Sequence, residues 1–99
     1  NYYMPVFVDH FLNAATPDAH FVFCNMIHNW TNHQYYLIDC EPSWGKIDIG
    51  NFMVKREYAQ QMSLDPKIEQ ADGVFVEEYL KKFTHGEVVK VNKTLYVHN

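Results

Sequence analysis

The stretch from His20 to Gly45, HFVFCNMIHNWTNHQYYLIDCEPSWG, constrains this chain most, because it gathers ring-bearing and sulfur-bearing side chains into a pattern that reads as a β-hairpin. His20 to Ile27 and Tyr35 to Cys40 are short runs rich in aromatic and β-branched residues, separated by the polar segment His28-Asn29-Trp30-Thr31-Asn32-His33. Pairing the two runs around that segment, with Cys24 set opposite Tyr35, places Val22 opposite Leu37 and His20 opposite Asp39. Directly opposed side chains share a face, so an imidazole is expected beside a carboxylate. An Asp that accepts Nδ1–H from a His fixes its tautomer and stabilises its protonated form, as a general base requires. A His at the start of a strand is more often a framework hydrogen-bonding residue.

The segments HFVFCNMI, YYLID, SWG and GNFMVKR, taken in order, resemble the C-terminal half of the papain-like cysteine peptidases, including their bacteriocin-processing relatives. The resemblance covers about half of the chain and implies His20 as general base, Asp39 as its orienter and Trp44 as the indole that shields the pair. The chain departs from that pattern at three places. Pro42 stands before Ser43-Trp44-Gly45 where papain-type members have Asn, which leaves Asp39 or Glu41 as orienter, and the following Gly-rich stretch is reduced to Lys46-Ile47-Asp48-Ile49-Gly50. None of the nineteen residues before His20 is Cys, so the nucleophile would sit on a missing or separate chain.

Ninety-nine residues make one domain, residues 1–99, with room for a single core but not for a two-lobed peptidase. The net charge of −4, with no Lys or Arg before Lys46, removes the electrostatic footprint of a nucleic-acid binder. No apolar run is long enough to span a bilayer, and no cofactor is implied. The expected partner is a protein or peptide. Asn1 in place of an initiator Met reads as a processed start. The sequons Asn29-Trp30-Thr31 and Asn92-Lys93-Thr94 leave a secreted or viral origin open beside a cytosolic one, with glycans at Asn29 and Asn92 as one consequence. The register with Cys24 opposite Tyr35 also separates Cys24 from Cys40 by more than the ~4.4–6.8 Å between Cα atoms that a disulfide spans.

Along the chain, Tyr2 to Val8 reads as a strand begun or edged by Pro5, and Asp9 to Ala15 as a helical turn or loop, with Thr16-Pro17-Asp18 turning into His20. Asn51 to Arg56 reads as another strand. Asp65-Pro66 reads as the start of a short helix that stops by Gly73. Phe75, Tyr79, Leu80 and Phe83 recur at helical spacing over Val74 to Thr84, and His85-Gly86 closes that helix. Val88–Val91 and Thr94–Val97 read as a second hairpin turning at Asn92-Lys93. The whole predicts an α+β domain: a mostly antiparallel sheet of four to six strands with one or two packed helices. A metal site from Cys24, His28 and His33, with or without His20, is disfavoured. On a strand, His20, Cys24 and His28 share a face but spread over roughly 25 Å at ~3.3 Å per residue.

Two functions follow from the sequence. One is the His/Asp portion of a papain-like peptidase or acyltransferase, inactive as an isolated chain because a second chain carries the catalytic Cys. The other is a noncatalytic binding module, such as an inhibitor or a degenerate relative of that fold.

Overall fold

The computed structural model describes residues 2–31, 34–62 and 71–99. In chain order these form β1 (Tyr2–Tyr3), α1 (Phe7–Ala14), β2 (Ala19–Thr31), β3 (Gln34–Ile38), β4 (Phe52–Val54), α2 (Arg56–Ala59), α3 (Ala71–Lys82) and β5 (Glu87–His98). Ala19 to Cys24 are buried without a break. A strand covered on both faces reads as a continuous apolar run and not as an alternation. That run makes β2 the middle of the sheet: it pairs in parallel with β5 along one edge and antiparallel with β4 and then β3 along the other. β1 closes the far side of β5, giving a five-stranded sheet in the order β1-β5-β2-β3 with β4 beside β2. The architecture is α+β with a mostly antiparallel sheet, as the sequence predicts, with three helices among the described residues.

Several elements differ from expectation for identifiable reasons. The strand over residues 2–8 stops at Tyr3, and α1 takes over from Phe7 because Phe7 and Phe11, one helical turn apart, stack at 4.1 Å and bury both rings. The strand over residues 51–56 shortens to β4, and α2 begins at Arg56. The expected C-terminal hairpin is instead one continuous strand. β5 pairs with β2 at Cys24↔Val91 and again at Asn25↔Thr94, so Asn92 and Lys93 form a bulge and not a turn. The helix start at Asp65-Pro66 lies outside the described residues. Gly73, read as a helix stop, sits inside α3, where an added Cβ would come within 2.8 Å of the Trp44 Cα. α3 buries Val76 and Tyr79 and ends in Lys81 and Lys82, whose charge suits its C-terminus.

The core lies between β2, β5 and the helices. Phe21, wholly buried, stacks on Phe52 at 5.1 Å and meets Tyr79 at 5.8 Å. Tyr79 continues the aromatic row to Phe75 and Phe83 along α3. Truncating a ring at the junction of β2, β4 and α3 removes buried area and leaves a cavity bounded by the backbone of three elements. Phe21→Ala should therefore lower the unfolding free energy by ~3–5 kcal/mol in urea denaturation without changing the denaturant slope.

Candidate functional site

His20 is 3% exposed and faces α3. The Tyr79 hydroxyl donates to the His20 carbonyl at 2.7 Å and lies 3.1 Å from His20 Nδ1. Its single proton is committed to the carbonyl, so the phenol oxygen accepts from Nδ1–H, which fixes the neutral Nδ1-protonated tautomer. The ring stacks against Tyr79 at 5.5 Å and meets Tyr58 edge-on at 6.0 Å. Gly86, at φ 98°, leaves the space that His20 fills, since an added Cβ would lie 3.0 Å from the His20 Cδ2 and 2.6 Å from the Asp18 carbonyl oxygen. Burial, then the Lys55 ammonium, push the imidazole pKa below its ordinary value. This His ties β2 to α3 and is closed to substrate.

Asp39 is not its neighbour. The ladder runs Met26↔Ile38, Ile27↔Leu37, His28↔Tyr36 and Asn29↔Tyr35, so Tyr35 lies opposite Asn29 instead of Cys24. β2 continues as strand through His28–Thr31, residues expected in the loop, and a one-residue irregularity between Asn29 and Thr31 leaves the rest of the ladder displaced from the expected register by an odd number of residues, which exchanges the side chains that share a face. Lys55, following β4, occupies the place opposite His20 and donates its backbone N–H to the His20 carbonyl at 3.2 Å. Asp39 projects to solvent and pairs with Lys90, whose hydrogen bond and charge hold its carboxyl below the ordinary range. Trp44 is exposed in the turn after β3, where its backbone N–H donates to the Glu77 carboxylate at 2.9 Å. The three residues implied by the resemblance therefore occupy three separate environments.

The revised register brings the two cysteines toward each other. Both are free and buried. Asn51, wholly buried, uses its side-chain amide to join them, donating to the Cys24 carbonyl at 2.7 Å and to Cys40 Sγ at 3.2 Å. Burial raises the Cys24 pKa to about 11 and raises that of Cys40 as well, the opposite of what a nucleophilic thiol needs. Asn51 went unnoticed in the sequence, where only its neighbourhood to a glycine sets it apart. Among the described residues no group of three His, Cys, Asp or Glu side chains is placed to hold a metal ion. Cys24 lies in the core, and His33 is outside the described residues. Nor is any described helix long and apolar enough to cross a membrane. Of the sequons, Asn29 lies in the β2–β3 ladder and is half-buried, whereas Asn92 is exposed on the β5 bulge.

Two concavities and the longest uncharged open edge among the described residues remain. A pocket of about 270 Å³ lies between Met26, His28 and Ile38 on the sheet and Ile47, Asp48 and Asp72 above it. His28 meets His98 edge-on at 4.4 Å, and the His98 Nε2 lies 3.9 Å from Asp48. Burial, then His98, lower the His28 pKa. An apolar groove of about 530 Å³ runs between Tyr3, Phe7 and Val8 on one side and Phe52 and Met53 on the other. The open edge is β3, which pairs only with β2 among the described residues and exposes Tyr35, Tyr36 and Leu37 by 48%, 49% and 68%. Comparisons with protein-family models, curated proteins and solved structures yield no match.

The two depressed histidines set a pH dependence of stability. With folded-state pKa values below the ordinary 6.5, the unfolded chain takes up protons first as pH falls, so the stabilisation is complete above about pH 6.5 and is lost between there and the folded-state values. Thermal unfolding followed by circular dichroism should show the midpoint falling from pH 7.5 to pH 5. A His20→Gln, His28→Gln double variant should be less stable at pH 7.5 and much flatter across that window.

Proposed function

We propose that this chain is a noncatalytic protein-interaction domain that binds an extended protein segment by adding it as a strand to the outer edge of β3. The observation that carries this reading is the character of that edge. Sheet edges are ordinarily blunted with Lys, Pro, an inward charge or a covering element. β3 reads Gln-Tyr-Tyr-Leu-Ile, without a charge or a proline, and no described element covers it. An added strand gains main-chain hydrogen bonds along the edge, and the large side chains of Tyr35 and Leu37 on one face and Tyr36 on the other set which residues it prefers. On the opposite side β1 pairs with β5 only at Tyr96 and Val97, and the uncovered remainder of β5 carries Glu87, Lys90 and Lys93, the kind of charges that blunt an edge.

The noncatalytic part rests on the chemistry at the other candidates. His20 is buried and committed to Tyr79, Asp39 is committed to Lys90, and both thiols are buried with raised pKa values. Acyl transfer needs a nucleophile within ~2.6–3.2 Å of its base, and no described Cys approaches His20 in this way. The groove beside α1 is apolar, and among its described lining only Tyr3 carries a side-chain polar group.

Selection of a random nonapeptide display library on the immobilised chain tests the proposal. Enriched peptides should share alternating apolar positions, and Leu37→Lys should weaken their binding at least ~tenfold while leaving the thermal midpoint within about a degree, because Leu37 is exposed. Enriched peptides indifferent to Leu37→Lys, or hydrolysis of peptide esters that depends on His20, would contradict it.

A further inference from the structure

We infer that the strand added to β3 is the β3 of a second copy of this chain, paired antiparallel about a twofold axis at Tyr36. This rests on the reading of β3 as the binding edge and names its occupant. Antiparallel pairing of a strand with itself is isologous, so each residue faces its own mirror position and any charge near the axis faces a like charge. β3 has no charge to be opposed. Centring on Tyr36 is the register in which all five residues find a partner: Tyr36 faces Tyr36, Tyr35 faces Leu37 twice, and Gln34 faces Ile38 twice. Aromatic–aromatic and aromatic–aliphatic cross-strand pairs are the stabilising combinations of a sheet.

The surroundings favour a second copy as well. The chain carries a net charge of −4, which opposes self-association at long range. At this edge, however, the acidic residues are neutralised within the chain: Asp39 pairs with Lys90, and Glu41 with Lys46 at 3.5 Å. Two copies thus approach through a stretch where local charge is balanced. The Tyr35 hydroxyl donates to Asn99 Oδ1 at 2.9 Å, and the Tyr36 hydroxyl to Gln34 Oε1 at 3.2 Å. These bonds hold the rings in place before pairing, which lessens the ordering cost of association. On one face the pairing sets two Tyr35–Leu37 cross-strand pairs side by side, and so shelters Leu37, the most exposed of these side chains.

Five residues a side make a small interface, near or below the ~1,200 Å² of total area at which specific complexes become stable, so the association is weak and concentration-dependent. Its geometry is nevertheless specific. Residues directly opposed across an antiparallel pair have Cα atoms ~4.5–5.5 Å apart, within disulfide range, while like residues two positions out of register do not. The twofold axis passes Tyr36 and not Leu37, although both side chains are exposed.

The test combines sedimentation velocity of the whole chain from ~10 µM to ~1 mM with mild oxidation of two single variants, Tyr36→Cys and Leu37→Cys, each keeping the buried Cys24 and Cys40. The average mass should rise toward the dimer over that range, and Leu37→Lys should keep the chain monomeric. Tyr36→Cys should form covalent dimers at least ~tenfold faster than Leu37→Cys. Equal cross-linking rates, or a monomer at every concentration, would overturn the inference. If a monomeric chain still binds display-selected peptides through β3, the occupant is another protein and the binding edge stands. If neither occurs, both readings fall.

Discussion

The parallel pairing of β2 with β5 is the constraint from which the rest of the structure follows. A parallel pair cannot be closed by a tight turn, so the chain between the two strands must travel back along the sheet, and it does so through β3, β4, α2 and α3. Together with α1, which precedes β2, that return buries every residue from Ala19 to Cys24 in the core. His20 falls at the start of this run, facing α3. There the Tyr79 hydroxyl serves both the His20 carbonyl and its ring, so one phenol fastens the helix to the central strand. A polar group at this depth is tolerable because its hydrogen bonds are made within the fold.

The fold class was legible in the sequence because it depends on patterns: runs of β-branched and aromatic residues, a helical stripe at Phe75, Tyr79 and Phe83, and turn residues between them. Partners were not legible. The continuous burial of Ala19 to Cys24 leaves the apolar run Phe21-Val22-Phe23-Cys24 in the sequence, yet the same run fits the inner strand of a hairpin, and only the distant β5 decides between them. Asn92-Lys93 carries the chemistry of a turn, but parallel pairing on either side of it converts the turn into a bulge. At the hairpin, the polar residues from His28 to Thr31 signal a loop. Pairing of His28 with both β3 and β5, and of Asn29 and Thr31 with β3, outweighs that local preference.

The same displacement decides the candidate site. A register shifted by an odd number of residues leaves the composition of the hairpin intact while exchanging every cross-strand neighbour, so the His20 and Asp39 pairing dissolves and Cys24, Cys40 and Asn51 gather instead. What the resemblance implied about His20, Asp39 and Trp44 depended on that register. The exposed aromatics of β3 were legible as residues but not as an edge, because the sequence does not reveal which strands lie outermost. The buried polar groups work as framework, and the uncharged outer strand is the contact surface we propose.

That division is most directly tested by residue-resolved amide hydrogen exchange on the dilute, monomeric chain. The fold predicts strong protection at residues 21–23 and 26–28, where β2 has a paired strand on both sides, and alternation along β3, with the amides that face β2 protected and those that face outward exchanging within minutes. Uniform protection of every β3 amide in the dilute monomer would mean that its outer edge is covered within the chain itself, and would contradict the account.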